Sequence, residues 1–485
     1  MGSFTFKKWN IILGWFVFSV ALVTYWSTVE PTASFWDAGE YITTASNLEV
    51  GHPPGAPLYQ LMGAFFSIFA MEATNIALTI NLMSVFASAF TILFMFWSVT
   101  ILLSNLVKNN DTFTKNNQIA ILGSAVIGSL SFAFTDSFWF SAVEAEVYAM
   151  AAFIMSVLFY AGLRWENEMF SPRGDKWVVL IAFVVGLSFG VHFMGLLTIP
   201  AIGFLYFFKN YKKVTVKNFL IANVATVAIL LFIFKLLLPM TLRFFSAAEI
   251  FFVNQINMPF NSGTIIAGLL FFAVFYFGLR YTRSKSFVKL NTLLLCVLFI
   301  FIGFSSWLML PIRANAGTVI NENNPNNARE LLAYYNREQY PETHLFYGPL
   351  FTEAYVGLDE DNPFLDDKPK YEKDLTAKKY VIVNDINNAK QNFDDSQKAF
   401  LPRMWSLEHN ANYMEITGAV DFEIKREYLS EQLLVDEVAK FREAYDKGLV
   451  DSEDYDKFLK NFGDYLDIEK PGFLTNMRFM FEYQF

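Results

Sequence analysis

Between residues 9 and 310 long apolar runs alternate with short polar breaks, and most of the charge sits in the breaks. A helix needs about 20 predominantly apolar residues to cross a bilayer core. By that ruler nine runs predict transmembrane helices: 9–28, 78–105, 118–136, 142–163, 177–191, 193–208, 219–241, 263–281 and 290–310. The 177–191 and 193–208 runs are short and read as a hairpin of tilted helices meeting at His192. Residues 58–71 are apolar but too few to span, and Gln60 lies within them, so they predict a helix lying at an interface or re-entering it. Beyond residue 310 the pattern changes. Residues 425–447 and 452–467 have helical spacing with mixed charge, 321–327 and 358–379 read as polar loops, and 473–485 is an aromatic, apolar strip.

Composition follows the same division. Of 485 residues 54% are hydrophobic and 17% charged, against about 25% charged in soluble domains. Residues 1–310 hold 17 Lys and Arg against 13 Asp and Glu, whereas residues 311–485 hold 20 against 33. This predicts an α-helical polytopic membrane domain over 1–310, with outer loop 1 at 29–77, and a soluble, mainly helical and loop region over 311–485. One cysteine, Cys296, and four histidines exclude a disulfide framework and cysteine-based or multi-histidine metal centres. Walker, dinucleotide and nucleophile-elbow motifs are absent, and net acidity argues against a nucleic-acid partner.

Because cytoplasmic loops collect Lys and Arg, the basic clusters near residues 7–8, 108–115, 164–176, 209–217 and 280–289 place the N-terminus in the cytoplasm. Counting 58–71 as a tenth span would move the strongest clusters outside. With nine spans the tail lies outside, and Glu30, Asp37, Glu40, Glu49, Glu72, Asp136, Glu144, Glu146 and Glu249 gather on the outer face.

Asp37 and Glu40 are three apart, so a short helix beginning near Ser34 turns both carboxylates the same way, and their repulsion can raise one pKa into the range of a general base. They fit equally well as charges complementing a helix N-terminus, with Ser34 as N-cap. Pro53, Pro54 and Pro57 stiffen the chain after His52, which would aim the imidazole at a phosphate or nucleophile, or simply punctuate a helix start. Glu144 and Glu146 lie on nearly opposite helix faces, so one of them is expected to reach a shared site. His192 stands among Gly186, Gly190 and Gly195, a pattern that fits helix packing as well as a ligand. Arg313, beyond the last span, suits an anionic phosphate or interfacial snorkelling.

SFWDAGEY (34–41), GHPPGAPLYQLMG (51–63), SFWFSAVEAEVYAM (137–150) and LPIRANAGTVINENNP (310–325) together resemble glycosyltransferase family 117, formerly a domain of unknown function. That family contains protein O-mannosyltransferases and membrane proteins of Bacteroidota. The resemblance implies a GT-C type bundle whose first outer loop carries short interfacial helices and the catalytic acid. It implies an inverting, polyprenyl-phosphate-sugar-dependent glycosyltransferase that transfers mannose to Ser or Thr hydroxyls of exported proteins. It also implies a Bacteroidota-like chain in the inner membrane, with its site facing the periplasm, corresponding to an N-terminal portion of a longer protein. On this basis Asp37 is the base with Glu40 assisting. His52, Arg313 and His192 fall on the donor phosphate, and Glu144, Glu146, Tyr41 and Asn315 on sugar or acceptor. No cofactor is required, although a divalent metal at Asp37 and Glu40 stays open. The same donor chemistry could serve a glycolipid or envelope-polymer acceptor. A lipid-linked sugar transporter or flippase is disfavoured, because the acids crowd the outer rim and no internal repeat is visible.

Overall fold

The computed structural model describes residues 5–110, 113–340, 344, 346–359 and 361–483. The chain forms two compact units, Met1–Gln339 and Tyr340–Phe485. The helices of the first are α1 (Phe6–Ser27), α2 (Ala38–Asn47), α3 (Pro57–Ser67), α4 (Ile76–Asn110), α5 (Lys115–Ala133), α6 (Asp136–Ala142), α7 (Val147–Glu168), α8 (Asp175–Ser188), α9 (Thr198–Asn210), α10 (Val216–Leu231), α11 (Leu238–Ile250), α12 (Ser262–Ser284), α13 (Val288–Phe304), α14 (Met309–Ala314) and α15 (Ala328–Asn336).

Nine spans were expected. Among the described residues seven helical stretches are long and apolar enough to cross a membrane, and the pair α5 and α6, bent by 69°, makes an eighth if it counts as one. The difference lies in the 177–191 run. Its helix, α8, has 14 residues, a length of about 21 Å at about 1.5 Å per residue, short of the roughly 30 Å bilayer core. A helix that stops short leaves carbonyls without partners, and in an apolar surrounding these must be satisfied. Here the Trp307 indole donates to Phe189 O at 2.8 Å, while the amides of Leu58 and Tyr59, opening α3, donate to Gly190 O at 2.7 and 3.1 Å. The end of α8 thereby fixes the start of α3, the 58–71 helix that was too short to span. The 219–241 run is also longer than expected. α10 and α11 join through a π-helical turn, Phe232–Leu237, into one stretch, Val216–Gln255.

Two apolar clusters hold this unit. α1, α4 and α5 interlock through Val17, Ala21, Ala89, Ile92, Leu122 and Ala125. A larger cluster joins α7, α8 and α13 to α2, α3 and α15 through residues such as Ile154, Val185, Ile300, Ala45, Tyr59 and Tyr334. Residues 311–339, soluble in character, therefore contribute to the core of the first unit. The loop after α1 is tied down from below, with Asn81 Nδ2 of α4 donating to the carbonyls of Glu30 and Thr32 at 2.6 and 2.9 Å.

The second unit packs α16 (Asn410–Thr417), α17 (Gln432–Asp446), α18 (Ser452–Phe462) and α19 (Phe473–Tyr483) around Phe351, Met414, Leu434, Tyr455, Leu459 and Phe479. Among the described residues four two-stranded antiparallel sheets accompany them. One pairs Tyr371–Asp374, inside the 358–379 stretch expected to be loop, with Lys379–Ile382, which begins at its end. The aromatic strip at 473–485 is α19, except that residues 484 and 485 lie outside the described residues.

Candidate functional site

α2 begins at Ala38, later than the expected start near Ser34, because Trp36 takes a left-handed conformation (φ 60°) that breaks the chain just before it. Ser34 consequently caps nothing; its hydroxyl donates to Glu144 Oε2 at 2.6 Å. Asp37 occupies the N-cap position without making a side-chain cap, and its side chain is 59% exposed. Its carboxylate is thus left for other chemistry.

Glu40 is engaged by His52 twice. The His52 backbone amide donates to Glu40 Oε1 at 2.7 Å and the ring Nδ1 lies 3.0 Å from Oε2. With Glu40 ionised, Nδ1 carries the donated proton and Nε2 faces Asp37 Oδ2 at 3.8 Å. The bond from His52 holds the Glu40 carboxyl below its ordinary range, and Glu40 in turn raises the imidazole. Repulsion between Asp37 and Glu40 was expected to raise one of that pair; the imidazole brought between them by the Gly-His-Pro-Pro-Gly turn reverses the sign for Glu40. The turn itself needs its glycines. A Cβ on Gly51 would lie 2.7 Å from Glu40 Oε1, and Gly55, at φ 64°, would bring one to 2.6 Å from the Tyr334 hydroxyl.

At this site two other carboxyls are raised, Glu144 and Glu146, the latter the N-cap of α7. Burial, reinforced by the charges of Asp37 and Glu144, pushes Glu146 up to about 7, against partial relief from the Val147 and Asp37 backbone amides. Glu146 is therefore the member of its pair that faces Asp37, while Glu144, raised chiefly by burial, is spent on Ser34. Tyr41 lies between these groups, its ring 5.8 Å from that of His52 and 5.3 Å from that of Tyr59. Burial and the surrounding carboxylates raise its phenol, which stays a neutral donor.

The remaining expected residues are placed differently. His192 accepts the Met194 amide on Nδ1 at 3.1 Å, and its ring lies 5.6 Å from Tyr148. Arg313 donates from Nε to Leu48 O at 2.5 Å and from Nη2 to Asn47 O at 3.2 Å, so it caps the carboxy end of α2. Asn315 closes a local turn, donating to Pro311 O and Asn326 O at 2.7 Å each. The sequence reading missed Tyr334, whose hydroxyl reaches the carbonyls of Gly51 and His52. Its only sequence signal is the amphipathic spacing of α15. Asp37, Glu40 and His52 each offer a ligand atom, all within 4.8 Å of one another, so a divalent cation could be held by an Asp–Glu–His set in addition to the acids expected.

Residues 37–215 match the family described as protein O-mannosyl-transferase TMEM260 N-terminal domain. Residues 341–481 match a family of unknown function, DUF8416. The chain is similar to the protein O-mannosyl-transferase tmem260 of Dictyostelium discoideum, with 26% identity over 216 residues, 42% of this chain and 24% of that protein. It is also similar to protein O-mannosyl-transferase TMEM260 of Mus musculus, with 26% identity over 172 residues, 36% of this chain and 22% of that protein. The chain thus spans about a quarter of the length of these relatives. No solved structure matches it. The matched segment contains Asp37, Glu40, His52, Glu144 and Glu146, and over that segment the chain is similar to the protein O-mannosyl-transferase TMEM260 N-terminal domain.

Proposed function

We propose that this chain is the membrane part of a glycosyltransferase of GT-C type. It transfers mannose from a polyprenyl-phosphate-linked donor to Ser or Thr hydroxyls of exported proteins, with its site on the outer, periplasmic face of a bacterial inner membrane. The observation that carries this reading is the exposed Asp37 carboxylate, left uncapped beside the Glu40–His52 pair. Transfer with inversion requires a base for the acceptor hydroxyl and positive charge for the departing phosphate. Asp37 takes the hydroxyl proton as the acceptor oxygen attacks the sugar's anomeric carbon. The bond from that carbon to the phosphate oxygen breaks, and its electron pair leaves with the polyprenyl phosphate. His52, kept protonated by Glu40, meets the phosphate through Nε2–H. Tyr41 and Glu146 border the same space and are the sugar or acceptor contacts. Glu144 contributes through the Ser34 loop, and His192 borders the space beside Tyr148. Arg313 and Asn315 support the loop's backbone instead of touching the donor.

Asp37→Asn tests the assignment, since it keeps the shape of the side chain and removes the base. In vesicles supplied with polyprenyl-phosphate-mannose and an acceptor peptide, transfer is expected to fall by about 100-fold or more. Full transfer by the variant would exclude Asp37 as the base.

A further inference from the structure

The stretch 48–52, which leaves α2 and delivers His52 to Glu40, has no regular secondary structure beyond one bridge, and its backbone polar groups must find partners elsewhere. The amides of Leu48, Glu49 and His52 bond back to α2, to Ala45 O, Thr44 O and Glu40 Oε1, whereas the Val50 amide and most of the carbonyls find partners in residues 313–334. Asn47 O and Leu48 O accept from Arg313. Val50 pairs on both sides, its amide with Ile320 O at 3.1 Å and its carbonyl with the Glu322 amide at 3.0 Å. Gly51 O and His52 O both accept from the Tyr334 hydroxyl, at 2.5 and 3.2 Å.

Tyr334 is 1% exposed. Its helix, α15, is fixed at both ends, with the Asn327 side chain accepting the Arg329 and Glu330 amides at the start and Arg337 in a left-handed conformation (φ 58°) at the end. The next residue, Tyr335, turns its hydroxyl the other way, to Phe234 O in the π-helical turn, at 2.8 Å. Two adjacent phenols thus brace different parts of the unit, and only one of them touches the His52 turn.

From this we infer that Tyr334 is a positioning residue for His52: its buried hydroxyl, gripping the Gly51 and His52 carbonyls, holds the imidazole between Glu40 and Asp37. The inference rests on the transfer reading for its consequence in catalysis, while the clamp itself can be tested without it. Tyr334 touches neither donor nor acceptor and acts through the direction of the imidazole. A residue that acts so is energetically coupled to His52, whereas one that merely stabilises the fold contributes independently.

The test compares Tyr334→Phe with Tyr335→Phe in the full chain, each losing one hydroxyl. In the transfer assay Tyr334→Phe is expected to lower kcat about tenfold, the effect of one buried hydrogen bond to the reacting group's support, with donor KM little changed. In a His52→Ala background the same change is expected to cost less than about twofold further, and Tyr335→Phe is expected to behave the same with or without His52. Should the wild-type chain show no transfer, the transfer reading fails and a second arm decides the clamp. Carbethoxylation of His52 by diethyl pyrocarbonate, followed by peptide mass spectrometry against His409, is expected to run at least about threefold faster in Tyr334→Phe and unchanged in Tyr335→Phe. If Tyr334→Phe does not fold, Gly55→Ala, which pushes a methyl against the same hydroxyl, is expected to give the same faster labelling. Equal losses with and without His52, or His52 labelling that is the same in all variants, would overturn the inference.

Discussion

At the residue scale the chemistry turns on which carboxyl the imidazole meets. Glu40 raises His52, so the imidazolium persists to higher pH than the ordinary histidine value of about 6.5. A transfer step that uses imidazolium is present below that raised pKa and is lost as pH rises through it. Glu40→Gln removes the first cause of the shift, so the alkaline limb of the kcat/KM profile is expected to move to lower pH; a limb that stays in place would sever His52 from the reaction. Glu146 is shifted in the same direction, chiefly by burial. Its folded pKa of about 7 lies above the unfolded carboxyl value, so the folded state loses stability as pH rises between the two. Glu146→Gln, a permanent mimic of the protonated form, is expected to melt higher than wild type at pH 8 and to converge with it near pH 4, read by intrinsic fluorescence. Asp37, Glu40 and His52 were legible in the sequence because spacing and proline stiffness restrict where they can go. The sign of the Glu40 shift was not, because it depends on an imidazole 12 residues away whose approach is set by contacts more than 280 residues along the chain.

At the element scale hydrophobic run length located most of the helices, since a run long enough to span has few alternatives to a helix. It is least informative where length and burial part company. The run at 177–191 is apolar throughout, yet α8 stops at Ser188, and only the partners of its last carbonyls make that stop acceptable. Run length carries no information about an indole donor 118 residues away. Trp307→Phe deletes that donor while keeping an aromatic ring, and is expected to destabilise the first unit by about 2 kcal/mol, the cost of leaving a buried carbonyl unpaired. Thermal melting in a mild detergent reads this directly, and an unchanged midpoint would show that Phe189 O finds another partner. The 58–71 helix was assigned correctly as something other than a span, for the related reason that its amides are committed to Gly190 at one end and its Gln60 side chain to Thr44 of α2, at 3.2 Å.

At the scale of the whole chain the composition boundary and the packing boundary do not coincide. Hydropathy changes at residue 310, but the compact unit continues to Gln339, because 313–334 supplies partners that the 47–52 backbone lacks. A polar composition signals contact with water and does not reveal whose backbone a segment satisfies. The consequence is measurable by ending the chain at two places. A chain ended after residue 339 keeps Arg313, the Val50–Asn321 bridge and Tyr334, and its first-unit melting midpoint is expected to stay close to that of the full chain. A chain ended after residue 310 loses all three anchors, each worth on the order of 1 kcal/mol, and leaves Tyr59 and the His52 turn beside a hole where α15 packed. It is expected to melt markedly lower, with His52 freely modified. Equal midpoints for the two chains would mean that the 47–52 stretch holds its shape unaided, and the boundary drawn by composition would then also be the boundary of the folded unit.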